Sequence, residues 1–320
     1  MITIRAIASV LALLAFSSNT SVNLPPGIGT RVAEFGDTFE EPGWEYNFNS
    51  PKLHNQFHNP GSGWVENIQA ANNPRGSSAN GRWQEGPTRG HPDVVEQVRT
   101  PSGGLPGSRY ALRLQTKDSG TPNLTEGTLQ QDDLLNIVPG KRIRNLPLGE
   151  GMSVVTRIYV PPIAQWENRQ GYHIGFRVGA TGRNTEGKSI NYWPGIWMVL
   201  EKDSNGNPQY RFAVRANNEG QDALATDKLY TRGGWWTLGM AFQRDGSIAY
   251  YASPGVDDLT PRDLLTYRAG SQSAAAIYKP YELEFQDLDY LFFSLGNTDG
   301  EWSTEFIVDD VAVYSVSSEE

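Results

Sequence analysis

The sequence predicts an all-β protein: a two-sheet antiparallel β-sandwich with long loop insertions. Three observations carry that expectation. Gly and Pro fill 54 of the 320 positions (34 plus 20), a density of backbone punctuation that suits many short strands joined by turns. Short segments alternate apolar and polar residues, with turn-forming residues between them. No stretch keeps a helical period beyond a turn or two, and Pro261 to Thr266 is at best a short helix.

Taken in order, the chain opens with Arg5 followed by the apolar run Ala6 to Phe16 and the small polar stretch Ser17 to Ser21. That run is too short to span a bilayer, and Ala15-x-Ser17 fits a small-x-small cleavage pattern. Residues 1–21 therefore read as a secretory signal peptide, with a retained N-terminal anchor as the alternative. The absence of cysteine removes disulfides, thiolate nucleophiles and zinc-thiolate sites. Export without cysteine points to a bacterial periplasm or exterior. Residues 22–320 read as a single sandwich domain, and 60–106 as a loop-rich insertion with too few apolar residues for its own core.

Beyond the insertion the strands follow one another. Tyr110 to Gln115 sets Leu112 and Leu114 on one side. Val154, Thr156, Ile158 and Val160 oppose Arg157 and Tyr159. Tyr172, Ile174, Phe176 and Val178 oppose His173, Gly175 and Arg177. Trp193 to Leu200 and Tyr210 to Arg215 are joined by Asp203-Ser204-Asn205-Gly206-Asn207-Pro208. Trp235 to Arg244, Asp245-Gly246 and Ser247 to Ala252 make the clearest hairpin, and Leu291 to Leu295 and Phe306 to Tyr314 close the series.

Several of these segments resemble a known family. Trp193-Pro194-Gly195-Ile196-Trp197-Met198 resembles the W-P-A-x-W strand of the laminarinase-like glucanases, which have the concanavalin A-like jelly roll. Trp236 to Phe242 with Ile248 to Tyr251, and the closing Phe306 to Tyr314, are similar to further strands of that family. The likeness covers roughly residues 150–314 and implies the fold. It does not carry the activity: those enzymes place a Glu-x-Asp-x-x-Glu pair on the strand where this chain has Tyr210 to Arg215. Retaining hydrolysis needs two carboxyl groups about 5 Å apart, so a retaining glucanase is disfavoured. Lectins, laminin-G-type modules and polysaccharide lyases share the fold, which leaves function to the site.

Lys and Arg number 27 against 36 Asp and Glu, a formal charge of −9, with no basic run. Nucleic acid is thereby excluded as a partner for the surface as a whole. Against that acidic background, the polar sides of the strands carry Arg113, Gln115, Arg157, Tyr159, His173, Arg177, Trp193, Trp197, Arg211 and Arg215. On neighbouring strands they would form one cationic, aromatic groove for an anionic polysaccharide. The jelly-roll polysaccharide lyases, whose sequence motifs are absent here, imply the roles. His173 stands as base, Arg177 with Arg157 and Gln115 as carboxylate neutralisers, and Tyr159 or Tyr192 as acid. Arg113, Trp193, Trp197, Arg211 and Arg215 complete the groove. The alternative is that these are outward strand residues paired with Asp and Glu across the sheet.

No cofactor is required by this reading; a structural Ca²⁺ is one reading of the terminal carboxylates, with plain turn formers as the alternative. Asp37 and Glu40 open the first strand, Asp309 and Asp310 lie in the last, and in such sandwiches those strands are commonly adjacent. His54 and His58 read as a solvated loop rather than a metal pair, and His91 as a turn residue or part of a lid. Three functions remain open: a secreted polysaccharide lyase, a carbohydrate-binding module of lectin or laminin-G type, and an exported structural or adhesive protein.

Overall fold

Alternation settles the architecture, because strands with one apolar side bury it by packing two sheets face to face. The structure is a computed structural model that describes residues 24–50, 52, 56–59, 63–66, 75–86, 89–118, 131–137, 146–147, 151–215, 223–243, 245–269, 272–279, 283–298 and 300–316. The main strands are β1 (Val94–Arg99), β2 (Tyr110–Gln115), β3 (Gln131–Asn136), β4 (Gly151–Val160), β5 (Gly171–Arg183) and β6 (Ser189–Tyr192). After them come β7 (Gly195–Lys202), β8 (Pro208–Arg215), β9 (Gly234–Phe242), β10 (Ile248–Pro254), β11 (Glu284–Gly296) and β12 (Phe306–Val316).

Every pairing is antiparallel. The eight-stranded sheet runs Ile277–Tyr278, β10, β9, β4, β12, β2, β1, with Thr30–Arg31 beside β12. The eleven-stranded sheet runs Ala223–Ala225, β8, β7, β5, β11, β3 and then three short strands, Trp83–Glu85, Ser77–Ser78 and Tyr46–Asn47, with β6 beside β5 and Leu146–Pro147 beside β11. Thus the stretch read as looped also supplies β1 to one sheet and two short strands to the other. The architecture is the sandwich that the jelly-roll resemblance implied.

Between the sheets lie Val154, Ile158, Val160, Leu238 and Val313 from one side and Phe176, Val178, Met198, Phe212 and Phe293 from the other, all buried. Full burial of such a side chain contributes roughly 1.5–3 kcal/mol. The expected β9–β10 hairpin forms, closing with Phe242 opposite Ile248. Its Gly246 sits at φ 85°, where a Cβ would run into the Leu283 carbonyl. The short helix is a single 3₁₀ turn, Pro261–Asp263, capped by Thr260.

The first and last strand regions are adjacent, as expected. Thr30 and Arg31 pair with Ser315 and Tyr314, and Asp37 bridges Val311. Among the described residues no helix is long and apolar enough to cross a membrane.

Candidate functional site

The groove residues do not share one face. Arg113 and Gln115 (β2) and Arg157 and Tyr159 (β4) belong to the eight-stranded sheet. Arg177 (β5), Trp197 (β7) and Arg211 and Arg215 (β8) belong to the other. Their polar sides therefore point away from each other across the sandwich. On the eight-stranded sheet the cations are already neutralised. Arg113 pairs with Glu96 (2.5 Å) and Glu305 (3.4 Å), and Arg157 with Asp310 and with Asp258 (3.1 Å). Gln115 donates to the Ser303 carbonyl (2.9 Å), and Tyr159 packs edge-on against Trp235.

His173 faces the interior. A register shift between Tyr172 and Ile174 adds an extra residue to β5, and the shift turns His173 inward to 1 % exposure, against Trp166. Its Nε2 donates to the Arg169 carbonyl (2.7 Å), so the neutral ring accepts the Thr304 hydroxyl at Nδ1 (2.8 Å). Burial, with the Arg169 charge, lowers its pKa to about 3. A base for glycan chemistry needs access to its substrate, and this ring has none. Tyr192 is likewise fully buried, its ring edge-on to Phe285.

The outer face of the eleven-stranded sheet brings the rest together. Alternation places Gly175, Arg177 and Gly179 of β5 there, with Gly195 and Trp197 of β7, Arg211 and Arg215 of β8, and Tyr290 and Phe292 of β11. Three glycines face three large side chains across neighbouring strands. A Cβ on Gly175 would come within 2.7 Å of the Trp197 ring, one on Gly195 within 2.6 Å of Arg177 Cγ, and one on Gly179 would strike the Tyr290 ring. These side chains thus lie flat against the sheet, on ground only glycine leaves clear.

The result is a stack. The Arg177 guanidinium sits between Trp197 (5.0 Å to the ring centroid) and Phe292 (4.8 Å), and the Arg215 guanidinium lies over Trp197 at 5.1 Å. Such contacts contribute about 0.5–2 kcal/mol each and hold the cations in place. Trp197, 4 % exposed, is therefore a pedestal for two arginines, not an open stacking surface.

Trp193 is the open ring, at 38 % exposure. Its carbonyl accepts from Arg177 (3.0 Å), and its indole N–H donates to the Tyr290 hydroxyl (2.8 Å). Arg211 is neutralised by Glu201, but Arg215 has no carboxylate partner among the described residues; its Nε, like that of Arg211, is buried without a hydrogen bond. Buried donors of that kind are rare in native proteins. Sequence reasoning missed Tyr290 and Phe292; their place beside Arg177 follows from the β5–β11 register, which alternation does not give.

The four carboxylates expected to hold Ca²⁺ do not gather. Asp37 accepts from the indoles of Trp44 and Trp83 and from Asn80. Glu40 takes the backbone of Arg109 and Tyr110. Asp309 accepts from Ser108, while Asp310 is held by Arg31 and Arg157. Among the described residues no three metal-ligating side chains come together. The donors on these oxygens are those of a hydrogen-bonded clasp, which does not fit a cation. His91 is buried, donating to the Pro92 carbonyl (2.9 Å), and roofs no groove. His54 and the side chain of His58 lie outside the described residues.

No family model and no curated protein matches the chain. Among solved structures it is similar to the alginate lyase Aly36B, at 12 % identity and a TM-score of 0.36, over 70 % of this chain and 88 % of that one. It is also similar to a family 7 alginate lyase, A1-II', in complex with substrate (10 % identity, TM-score 0.35, 69 % and 84 % covered). Peanut lectin gives 10 % identity and a TM-score of 0.34, over 73 % of this chain and 93 % of that one. The reading of the site rests on its own geometry.

Proposed function

We propose that the protein binds an anionic polysaccharide on the outer face of the eleven-stranded sheet. Arg215 and Arg177 take the acid group, and Trp193 offers its ring face to a neighbouring sugar. One observation carries this. Arg215 is fixed over Trp197 with its Nε buried and no carboxylate among the described residues, on a protein of charge −9. A guanidinium held in place with no counter-ion among the described residues is set to receive one, and its planar fork matches carboxylate or sulfate. Exposed indole rings present a flat apolar face to a sugar. The apolar run before residue 17, read as a secretory signal, supports an encounter outside the cell, where such polymers occur.

Binding is favoured over cleavage, because His173 and Tyr192 are buried and Tyr159 lies on the opposite sheet. Eliminative cleavage is the second reading, and it rests on Tyr290, whose phenol lies on the binding face beside Arg177 and Trp193. The test is affinity electrophoresis against alginate, glucuronan, pectate, a sulfated galactan and a neutral glucan, with ultraviolet absorbance followed in parallel. We expect retention by an acidic polymer, weakened about tenfold by Arg215→Gln, the loss of about 1.4 kcal/mol. Rising absorbance would mark an unsaturated uronate and select cleavage. Retention by the neutral glucan alone would sink the proposal.

A further inference from the structure

We infer that Arg211 is a second acid subsite of the binding face, and that Glu201 fills it as a built-in stand-in for a glycan carboxylate. This rests on the anionic-glycan reading above. Tyr210, Phe212 and Val214 of β8 point into the core, so Arg211 and Arg215 both face outward. Four residues along one strand set them about 13 Å apart. On β7 the residues Val199 and Glu201 are outward by the same parity, because Ile196, Met198 and Leu200 lie in the core. Val199 sits opposite Arg211 on one side and Tyr172 of β5 on the other. Tyr172 and Val199 are both partly exposed, and the Tyr172 ring meets Trp197 edge-on at 5.9 Å. Apolar ground thus lies beside the two guanidinium groups, suited to the apolar face of a sugar ring.

Arg211 matches Arg215 in having its Nε buried without a hydrogen bond, so each presents the far end of its fork. It differs in what that end holds. Its Nη1 donates to the Thr226 carbonyl (3.2 Å), and its Nη2 is bonded to Glu201. Glu201 reaches it diagonally, since the direct partner of Arg211 is Val199 and that of Glu201 is Gln209. The pair is not sealed: the Arg211 side chain is 22 % exposed and that of Glu201 36 %. Ion pairs so open to water contribute little, so a ligand carboxylate or sulfate can take the place of Glu201. Exchange still has a cost, because affinity falls with the fraction of molecules in which the internal pair is open. A polymer anchored at Arg215 makes the second contact intramolecularly, which lets it compete with Glu201. A single acid sugar on Arg215 is too short to reach Arg211.

Affinity electrophoresis of the purified protein in gels of polygalacturonate and of a sulfated galactan tests the inference. Wild type is compared with Glu201→Gln, the double variant Glu201→Gln/Arg211→Gln, Glu96→Gln and Arg215→Gln, with circular dichroism verifying that each is folded. Glu201→Gln keeps the shape and uncovers the Arg211 charge. Glu96→Gln removes the same formal charge from the opposite sheet, where Glu96 pairs with Arg113. In a gel that retains wild type, Glu201→Gln should be held about fivefold more strongly and Glu96→Gln within about twofold of wild type. The double variant should fall back to within about twofold of wild type. A gain in Glu201→Gln no larger than that in Glu96→Gln, or one that survives in the double variant, overturns the inference. The anionic-glycan reading then stays in place, provided Arg215→Gln weakens retention. Retention indifferent to Arg215→Gln, or none in either gel, overturns both.

Discussion

His173 is held neutral by its two ring partners, the Arg169 carbonyl and the Thr304 hydroxyl, and a proton added to it would charge the core beside Arg169. Its pKa falls from 6.5 in the unfolded chain to about 3 in the fold. Between those values the unfolded chain binds the extra proton. The stability the neutral ring confers is thus complete above pH 6.5 and drains away as pH falls toward 3, by up to about 1.4 kcal/mol per pH unit. Asp289 and Asp309 run the other way. Burial raises each from 3.8 to about 6, so the folded chain keeps their protons longer and they add stability as pH falls through 6. Comparing wild type with His173→Gln isolates the histidine, since both proteins carry the two aspartates. Thermal unfolding should show wild type more stable by about 2 kcal/mol near pH 7.5, with the advantage gone by about pH 5. An advantage that is the same at both values would mean the ring is not held neutral.

The glycines of β5 and β7 shape the binding face more than any polar residue there. Each lies opposite a large side chain on the adjoining strand, and the flatness of Trp197, Arg177 and Tyr290 depends on the missing Cβ. Gly179→Ala should cost about 1–3 kcal/mol in denaturant unfolding, because the added methyl meets the Tyr290 ring, which is held by the Trp193 indole and packed against Phe292. Moving Tyr290 also frees the Trp193 indole, so glycan retention should fall with it. Gly151→Ala, also in a strand but with nothing nearer than Val316 Cβ at 4.0 Å, should stay within about 0.5 kcal/mol of wild type. Equal costs at the two positions would show that Tyr290 is free to move. At this scale the sequence was legible in its parity, since alternation alone set Arg177 and Arg215 opposite the apolar sides of their strands. It was silent on the register shift that turns His173 inward, because a bulge leaves no mark in an alternating pattern. It also hid β3: Gln131-Asp132-Asp133-Leu134-Leu135-Asn136 alternates only if Asp132 points inward, where it is wholly buried and paired with Lys52 at 2.7 Å.

Across the whole molecule the two outer faces treat charge oppositely, and that difference is invisible before the fold is known. Alternation tells which side of a strand is polar but not which sheet the strand joins, so by alternation alone Arg113 and Arg157 fall into one groove with Arg177 and Arg215. In the fold, Arg113 and Arg157 are neutralised by Glu96, Glu305, Asp258 and Asp310, while Arg215, on the other sheet, has no carboxylate partner among the described residues. A fixed positive site on a body of charge −9 attracts a polyanion only locally, because the body as a whole repels it. Raising salt from about 0.02 M to about 0.5 M shortens the screening length severalfold and weakens both effects. Substituting one arginine at a time separates them. Arg113→Gln removes the same formal charge as Arg215→Gln, so it changes the repulsion of the body equally. Affinity electrophoresis at both salt concentrations should find Arg113→Gln within about twofold of wild type at each and Arg215→Gln about tenfold weaker at low salt, with the gap narrowing at high salt as the direct ion pair is screened. Equal losses in the two variants would mean that net charge governs the encounter, and that neither face is a dedicated site.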